Sequence, residues 1–599
     1  MTASTTSPDE EDSLFLGFDL STQQLKIIAT TIDLQIHSTY TLEFDSELPQ
    51  YKTTKGVYIN DDTGEILSSV ALWIEALDCV LTKMQKDGFP FQRVQGISGS
   101  CQQHGSVFWS DRSGDLLTQL DPQRRLVDQL IPHAFTLQTS PNWQDHSTGL
   151  EIAKFEKYLH GAERLAEITG SRAHYRFTGP QICKMARTQP KMYHDTFKIS
   201  LVSSFLHSLL AGALYDIDES DACGMNLYDI KERQWNEECL AIACLSHAED
   251  GVLDQARRDK AVRDLKKKLG PVIKVGSSPV STISQYFIQR YGFPATTQIY
   301  PFTGDNLATI MSLPLQKDDL LISLGTSTTV LLVTETYRPS SSYHVFIHPT
   351  IPNAYMGMIC YCNGALAREK VRDLVNAKYH SSSWDKFNQI LSDSEGFDDQ
   401  LGVYLPLGEI VPNKKQQTIR GKLTGKNQLE LVDSWDIDAD VSSIVESQAL
   451  SCRARAAPML SIRDSTTAAA RSSSVYPESG LMFDEKLIPL ANLQQRPNKV
   501  YYVGGGSRNL AIVSKFGEIL GSIKGDFKCE NPNACALGGA FKAVWSHQYL
   551  LNESKLGFDE FLKLKYDYSQ LEQLAIKQGQ WEGYERGMVL LNELEKALV

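Results

Sequence analysis

The sequence predicts an α/β protein built as two large domains, and three observations carry that expectation. With 599 residues, the chain exceeds what one hydrophobic core usually serves. A pattern of apolar strand, polar turn and apolar strand stands at the start and again about halfway along. Near the C-terminal end, an apolar strand runs into three glycines and then into a helical repeat of apolar residues.

The elements follow in chain order. "MTASTTSPDEED" is polar and acidic, lacking the basic start and apolar core of a secretory signal and the arginines of a mitochondrial one, so residues 1–13 read as a disordered leader. In "LFLGFDLSTQQLKIIATTID", Leu14, Leu16 and Phe18 alternate before Asp19, and Leu25, Ile27 and Ala29 alternate after the turn, which is the pattern of a β-hairpin. Its tip places Ser21, Thr22 and Gln23 beside Asp19. Such a tip is either a solvated turn or a cradle for phosphates whose carboxylate orients a metal.

Three loops follow. "SGSCQQHGSVFW" offers Gln102, Gln103 and His104, "PNWQDHST" offers Trp143 and Asp145, and "TGSRAHYRFTGPQ" offers Arg172, His174, Tyr175 and Arg176. These side chains suit recognition of a polyhydroxyl compound and equally suit the anchoring of loop carbonyls. "YPFTGDNLATI" puts Asp305 and Asn306 at a loop-to-helix start, where a carboxylate either caps the helix or accepts the proton of a substrate hydroxyl.

"DLLISLGTSTTVLLVTETY", Asp319 to Tyr337, repeats the opening hairpin with a small polar turn through Thr326 to Thr329, but without the aspartate. A repeat at this distance means duplicated domains, 14–313 and 314–599, whose turns could both approach the phosphates of a nucleotide. Residues near 455–495, around "RDSTTAAARSSSVYPESG", read as a flexible low-complexity surface insertion. In "VYYVGGGSRNLAIVSKFGEILG", Gly504, Gly505 and Gly506 permit close backbone approach to a ligand. "NACALGGAFKAVW" has the small residues of a closely packed helix.

Composition narrows the function. An apolar share of 42% and a charged share of 22% suit a soluble globular protein, and no run spans a bilayer, so no membrane partner is expected. A net charge of −13 disfavours nucleic-acid binding. Eleven cysteines without paired CxxC elements fit free thiols in the cytosol.

Taken in order, "GFDLSTQQ", "SGSCQQHGS", "TGSRAHYRFTGPQ", "FTGDNLATI", "SLGTSTT" and "VGGGSRN" closely resemble the FGGY family of carbohydrate kinases over about residues 14 to 550, and "DACGMNLYDI", "MGMICYCNGALARE" and "VESQALSC" add to the likeness. The resemblance implies two actin-like, ribonuclease-H-like domains with an active-site cleft between them. It implies ATP and Mg²⁺ as cofactors and D-xylulose as the sugar phosphorylated at its C5 hydroxyl; another ketose or polyol acceptor, or an actin-like conformational ATPase, are the alternatives. By the same resemblance His104, Arg176, Asp305 and Asn306 hold the sugar, with Asp305 as catalytic base. Asp19 serves the metal, and Ser21, Thr22, Gln23, Gly325, Thr326, Ser327, Trp384, Gly504, Gly505, Gly506 and Asn509 serve the nucleotide. The "QQHGS" loop departs from the methionine-histidine-glycine version of bacterial relatives, which leaves the role of Gln103 open while His104 stays aligned.

Overall fold

The computed structural model describes residues 12–252, 254–425, 428–463, 475–530, 532–551, 555–577 and 579–599. Two compact units are present. The first takes the chain up to Pro314 together with Phe346–Asn353 and Asn533–Asp567; the second takes Leu315–Val345, Ala354–Pro532 and Tyr568–Val599. The chain divides after Pro314, beside the expected boundary at 313–314, but two later segments return to the first unit, and no local motif signals that return.

In the first unit, β1 (Leu14–Leu20), β2 (Gln24–Thr31) and β3 (Ile36–Glu43) form an antiparallel meander. After α1 (Val70–Lys86), β4 (Val94–Cys101) pairs parallel to β1, and β5 (Gln298–Ile299) and β6 (Thr303–Gly304) both pair parallel to β4. The helix α2 (Asp305–Met311) leaves directly from β6. Strand β1 is buried along its whole length, as a strand covered on both faces must be. Its even positions, Leu14, Leu16, Phe18 and Leu20, share a core with Trp73, Leu77 and Leu81 of α1. Its odd positions, Phe15, Gly17 and Asp19, therefore point to the other face.

The second unit repeats this order. β7 (Leu320–Leu324), β8 (Thr328–Thr334) and β9 (Tyr355–Tyr361) are antiparallel neighbours. The helices α3 (Ala365–Tyr379) and α4 (Ile437–Ala456) come next in the chain. β10 (Val500–Val503) then pairs parallel to β7, α5 (Leu510–Leu520) follows, and β11 (Asp526–Cys529) pairs parallel to β10. The sheet order β9-β8-β7-β10-β11 matches β3-β2-β1-β4-β5 of the first unit. The repeated hairpin thus heads a repeated sheet. Ser323 stands where Asp19 stands in the first.

The low-complexity reading of 455–495 needs correction. Tyr476, Leu481, Phe483, Ile488 and Leu493 belong to the core of the second unit. Arg455, at the end of α4, is buried between Asp484 at 3.0 Å and Glu595 at 2.8 Å. The serine and alanine run dominated that reading and masked the alternation around Leu481 and Phe483. Residues 464–474 of it, like residues 1–11 of the expected leader, lie outside the described residues.

The chain closes the first unit late. Helix α6 (Ala534–Leu551) packs against the odd face of β1, where Phe15 meets His547 edge-on at 5.1 Å. Its small residues allow backbone contact on two sides. A Cβ on Gly17 would strike the Ala536 carbonyl oxygen, one on Gly539 would stand 2.6 Å from Gly99 Cα, and one on Gly538 would strike the Ala308 carbonyl oxygen. Helix α6 therefore packs closely on β1 and β4 on one side and on α2 on another.

Candidate functional site

Alternation along β1 and the position of α6 bring Asp19 and Asp305 into one electrostatic field. Asp19 is 9% exposed, opposes Lys26 on β2 and Ser100 on β4, and accepts a hydrogen bond from Ser100 Oγ at 3.4 Å. Burial, and then the nearby Asp305 carboxylate, push its pKa up to about 7, against the pull of Lys26. Asp305 opens α2 with Gly304 as the capping residue, so Asp305 is not the cap. Its Oδ1 accepts from the Asn306 backbone N–H at 2.8 Å and from Asn306 Nδ2 at 3.1 Å. Burial lifts its pKa to about 6, moderated by the Asn306 bonds and the charge of Arg176.

His104 and Arg176 meet at Phe177. The imidazole of His104 stacks on that ring with centroids 4.4 Å apart, and its Nδ1 hydrogen-bonds the Gly224 carbonyl at 3.0 Å. The Arg176 guanidinium lies 5.9 Å from the same ring centroid. His104 holds a positive φ of 72°, a left-handed conformation uncommon outside glycine. Sequence reasoning missed Phe177, a lone aromatic between a charged residue and a helix start. The neighbouring candidates are structural. Asp145 is saturated by Ile66 N, Ser147 and Gln181, and Arg172 is held by Glu156.

The first turn, Ser21 to Gln23, is fixed both within the hairpin and from outside it. Ser21 N–H donates to Gln24 O at 3.0 Å, while Thr22 Oγ1 donates to Gln102 Oε1 at 3.3 Å and accepts from Trp143 Nε1 at 2.9 Å. Oxygen donors of this kind suit magnesium. One or two carboxylates with water and phosphate oxygens are its usual set, and a divalent cation would relieve the repulsion between Asp19 and Asp305. Among the described residues there is no cluster of three or more His, Cys, Asp or Glu able to hold a metal by themselves.

In the second unit the turn spans Gly325 to Ser327, shorter than expected because Thr328 and Thr329 already pair in β8. The Gly364 and Ala365 N–H groups, at the start of α3, donate to Thr326 O and Gly325 O. The glycine stretch lies beside this turn. Gly504 has φ of 85°, and a Cβ on Gly506 would be 2.8 Å from Leu324 O, so only glycine lets this backbone cross the end of β7. Asn509 caps α5 by accepting from Ile512 N–H at 3.3 Å and donates to Asn388 Oδ1 at 2.8 Å. Trp384 packs on Phe387 and under Arg372, and its tie to Asn509 runs through Asn388, one helical turn on. The structure thus groups the predicted sugar residues with Asp19 in the first unit, and the predicted glycine and threonine turns in the second.

Comparison with known proteins gives these geometries a context. Residues 136–311 match the FGGY family of carbohydrate kinases, N-terminal domain, and residues 320–547 match its C-terminal domain. A xylulose kinase of Saccharomyces cerevisiae is 48% identical over 601 residues, covering 98% of this chain and 97% of that protein. A probable D-xylulose kinase A of Aspergillus fumigatus is 43% identical over 547 residues, covering 89% of this chain and 88% of that one. Among solved structures, a xylulose kinase from Rhodospirillum rubrum superposes with a TM-score of 0.70 at 15% identity, covering 98% of each chain. A Plasmodium falciparum glycerol kinase with ADP superposes with a TM-score of 0.66 at 14% identity, again covering 98% of each. These two structures establish likeness of fold.

Proposed function

This chain belongs to the FGGY family of carbohydrate kinases, and on that premise we propose that it transfers the γ-phosphoryl group of ATP to the C5 hydroxyl of D-xylulose, releasing ADP and D-xylulose 5-phosphate. The observation that carries the chemistry is Asp305: a carboxylate held in place by Asn306, with a pKa raised to about 6. Such a group is ionised at neutral pH yet basic enough to take a hydroxyl proton. The identity of the sugar rests on the high identity to relatives named as a xylulose kinase and a probable D-xylulose kinase.

Asp305 accepts the C5 hydroxyl proton as that oxygen attacks the γ-phosphorus, and the new O–P bond forms as the bond to the ADP oxygen breaks. His104, Arg176 and Asn306 hold the open-chain sugar through its other oxygens. Ser21, Thr22 and Gln23 offer donors to the phosphates, and Asp19 would hold magnesium. When bound, magnesium supplies positive charge to the phosphate oxygens. Gly325, Thr326, Ser327, Gly504, Gly505, Gly506 and Asn509, in what we read as the nucleotide-binding domain, contact ATP, and Trp384 lines the adenosine end. Among the described residues no two cysteines are joined in a disulfide, which supports the cytosol as the compartment. Among the described residues no helix is long and apolar enough to cross a membrane.

ADP release measured with D-xylulose, D-ribulose, L-ribulose, glycerol and gluconate tests the substrate: D-xylulose gives the highest kcat/KM, and faster turnover of another acceptor reassigns the sugar. Asp305→Asn, which keeps the volume and loses the base, lowers kcat by roughly 10²- to 10⁴-fold while sugar still binds. Transfer at the parental rate in that variant would remove Asp305 from the role of base.

A further inference from the structure

A buried polar chain in the first unit runs to the Asp305 carboxylate from a side of the protein that the reaction as described does not use. Gln103 and Asp221 are 3% and 2% exposed. Gln103 Oε1 accepts a hydrogen bond from Asn306 Nδ2 at 3.1 Å, and the same Nδ2 donates to Asp305 Oδ1 at 3.1 Å. At the far end, Gln103 Nε2 and Asp221 Oδ1 are both buried without a completed hydrogen bond. Burial, with the nearby Asp218 and Asp305 charges, pushes the Asp221 carboxyl up to about 7, and the Gln103 amide acts against that rise as a neighbouring donor. Ser203 Oγ donates to the other Asp221 oxygen at 2.6 Å. Gln103 is also pressed against the backbone entering α2, since a Cβ on Gly304 would stand 2.6 Å from Gln103 Nε2.

Above that pH two carboxylates bracket two amides, and the order of donors follows from their chemistry. An amide facing a carboxylate must present its NH₂ group. Asp221 so turns the NH₂ of Gln103 toward itself and leaves Oε1 for Asn306. Asn306 must then spend its NH₂ on Gln103 and Asp305, which leaves Oδ1 as the amide atom available to a ligand. We propose that Gln103, oriented by Asp221, is a positioning residue for phosphoryl transfer: it fixes the Asn306 amide so that Asp305 is held and Asn306 presents an acceptor to a sugar hydroxyl. This inference rests on the reading of Asp305 as the base.

Charge exchange along the chain tests it. Gln103→Met keeps the length and packing but removes both polar contacts, and kcat/KM for D-xylulose falls about 10- to 100-fold, the scale of a small misplacement of reacting groups. Gln103→Glu, assayed at pH 8, falls likewise because two carboxylates then face each other. Adding Asp221→Asn restores a donor opposite that carboxylate, and the double variant turns over about tenfold faster than Gln103→Glu alone. A role in packing alone gives no such recovery. If Gln103→Met fails to fold, the Gln103→Glu pair, which conserves length and polarity, decides the matter. Parental turnover of Gln103→Met alongside an inactive Asp305→Asn overturns this inference alone, as does a double variant no faster than Gln103→Glu. An active Asp305→Asn overturns the base reading beneath it.

Discussion

The imidazole of His104 lies against the ring of Phe177 with an interplanar angle of 28°, and the two residues come from loops more than seventy positions apart. His104 holds its left-handed backbone conformation at this contact. Aromatic pairs of this kind contribute about 0.5–1.5 kcal/mol beyond their buried area. Phe177→Ala accordingly raises the KM for D-xylulose several-fold, and steady-state kinetics at saturating ATP measures it. An unchanged KM would show that the Phe177 ring does not position His104 for the sugar.

The pH dependence of kcat/KM follows from Asp305. Its pKa is raised to about 6 by burial, and the base works only when ionised, so with magnesium saturating, the contribution of Asp305 is complete about a unit above that value and falls tenfold per unit below it. Arg176 pulls in the opposite direction from burial, holding the carboxyl down. Arg176→Met therefore moves the acid limb of the profile to higher pH, besides weakening sugar binding. A limb that stays in place would assign it to another group.

How much of this was legible beforehand depended on distance along the chain. Asp19 could be read because strand alternation and a turn sit within twenty residues, and the second hairpin could be found because it repeats the first. The return of α6 could not be read, since the reason for the glycines at 538 and 539 is backbone contact with Ala308 and Gly99. Phe177 and Asp221 were invisible for the same reason: each acts through a partner supplied by a distant loop. The stretch beyond residue 474 was misjudged because composition averages a polar run with the apolar positions beside it.

Asp19 carries the metal prediction. Asp19→Asn removes the charge that would hold magnesium while keeping the Ser100 contact, so the magnesium concentration for half-maximal turnover rises with little change in sugar KM. Chelation of magnesium in the parent abolishes turnover without unfolding, followed by ADP release and circular dichroism together. A metal requirement identical in the variant would place the cation elsewhere.

Glu219 predicts acid sensitivity of the fold. It is fully buried, and although burial alone would raise its pKa, hydrogen bonds from Arg233, Tyr228 and Lys274 bring it from 4.5 down to about 2. Its contribution to stability is thus complete above about pH 4.5 and is lost as pH falls toward 2. Arg233→Met costs about 2 kcal/mol at neutral pH, the scale of hydrogen bonds to a charged group, and unfolds at a higher pH on acid titration. Equal acid midpoints for parent and variant would exclude this cluster as the origin.

The hydrogen bond from Lys26 to Asn533 spans 507 positions of the chain. On a ribosome adding about 5–20 residues per second, the two ends of that bond emerge roughly half a minute to two minutes apart. Throughout that interval the Phe15 and Gly17 side of the opening strand has no helix to cover it. The nascent first unit must therefore linger incomplete while nearly all of the second is translated, an exposed apolar face offered to holding chaperones or to self-association. The first unit is complete only once Asp567 has been made, and the second only with the helix that ends the chain.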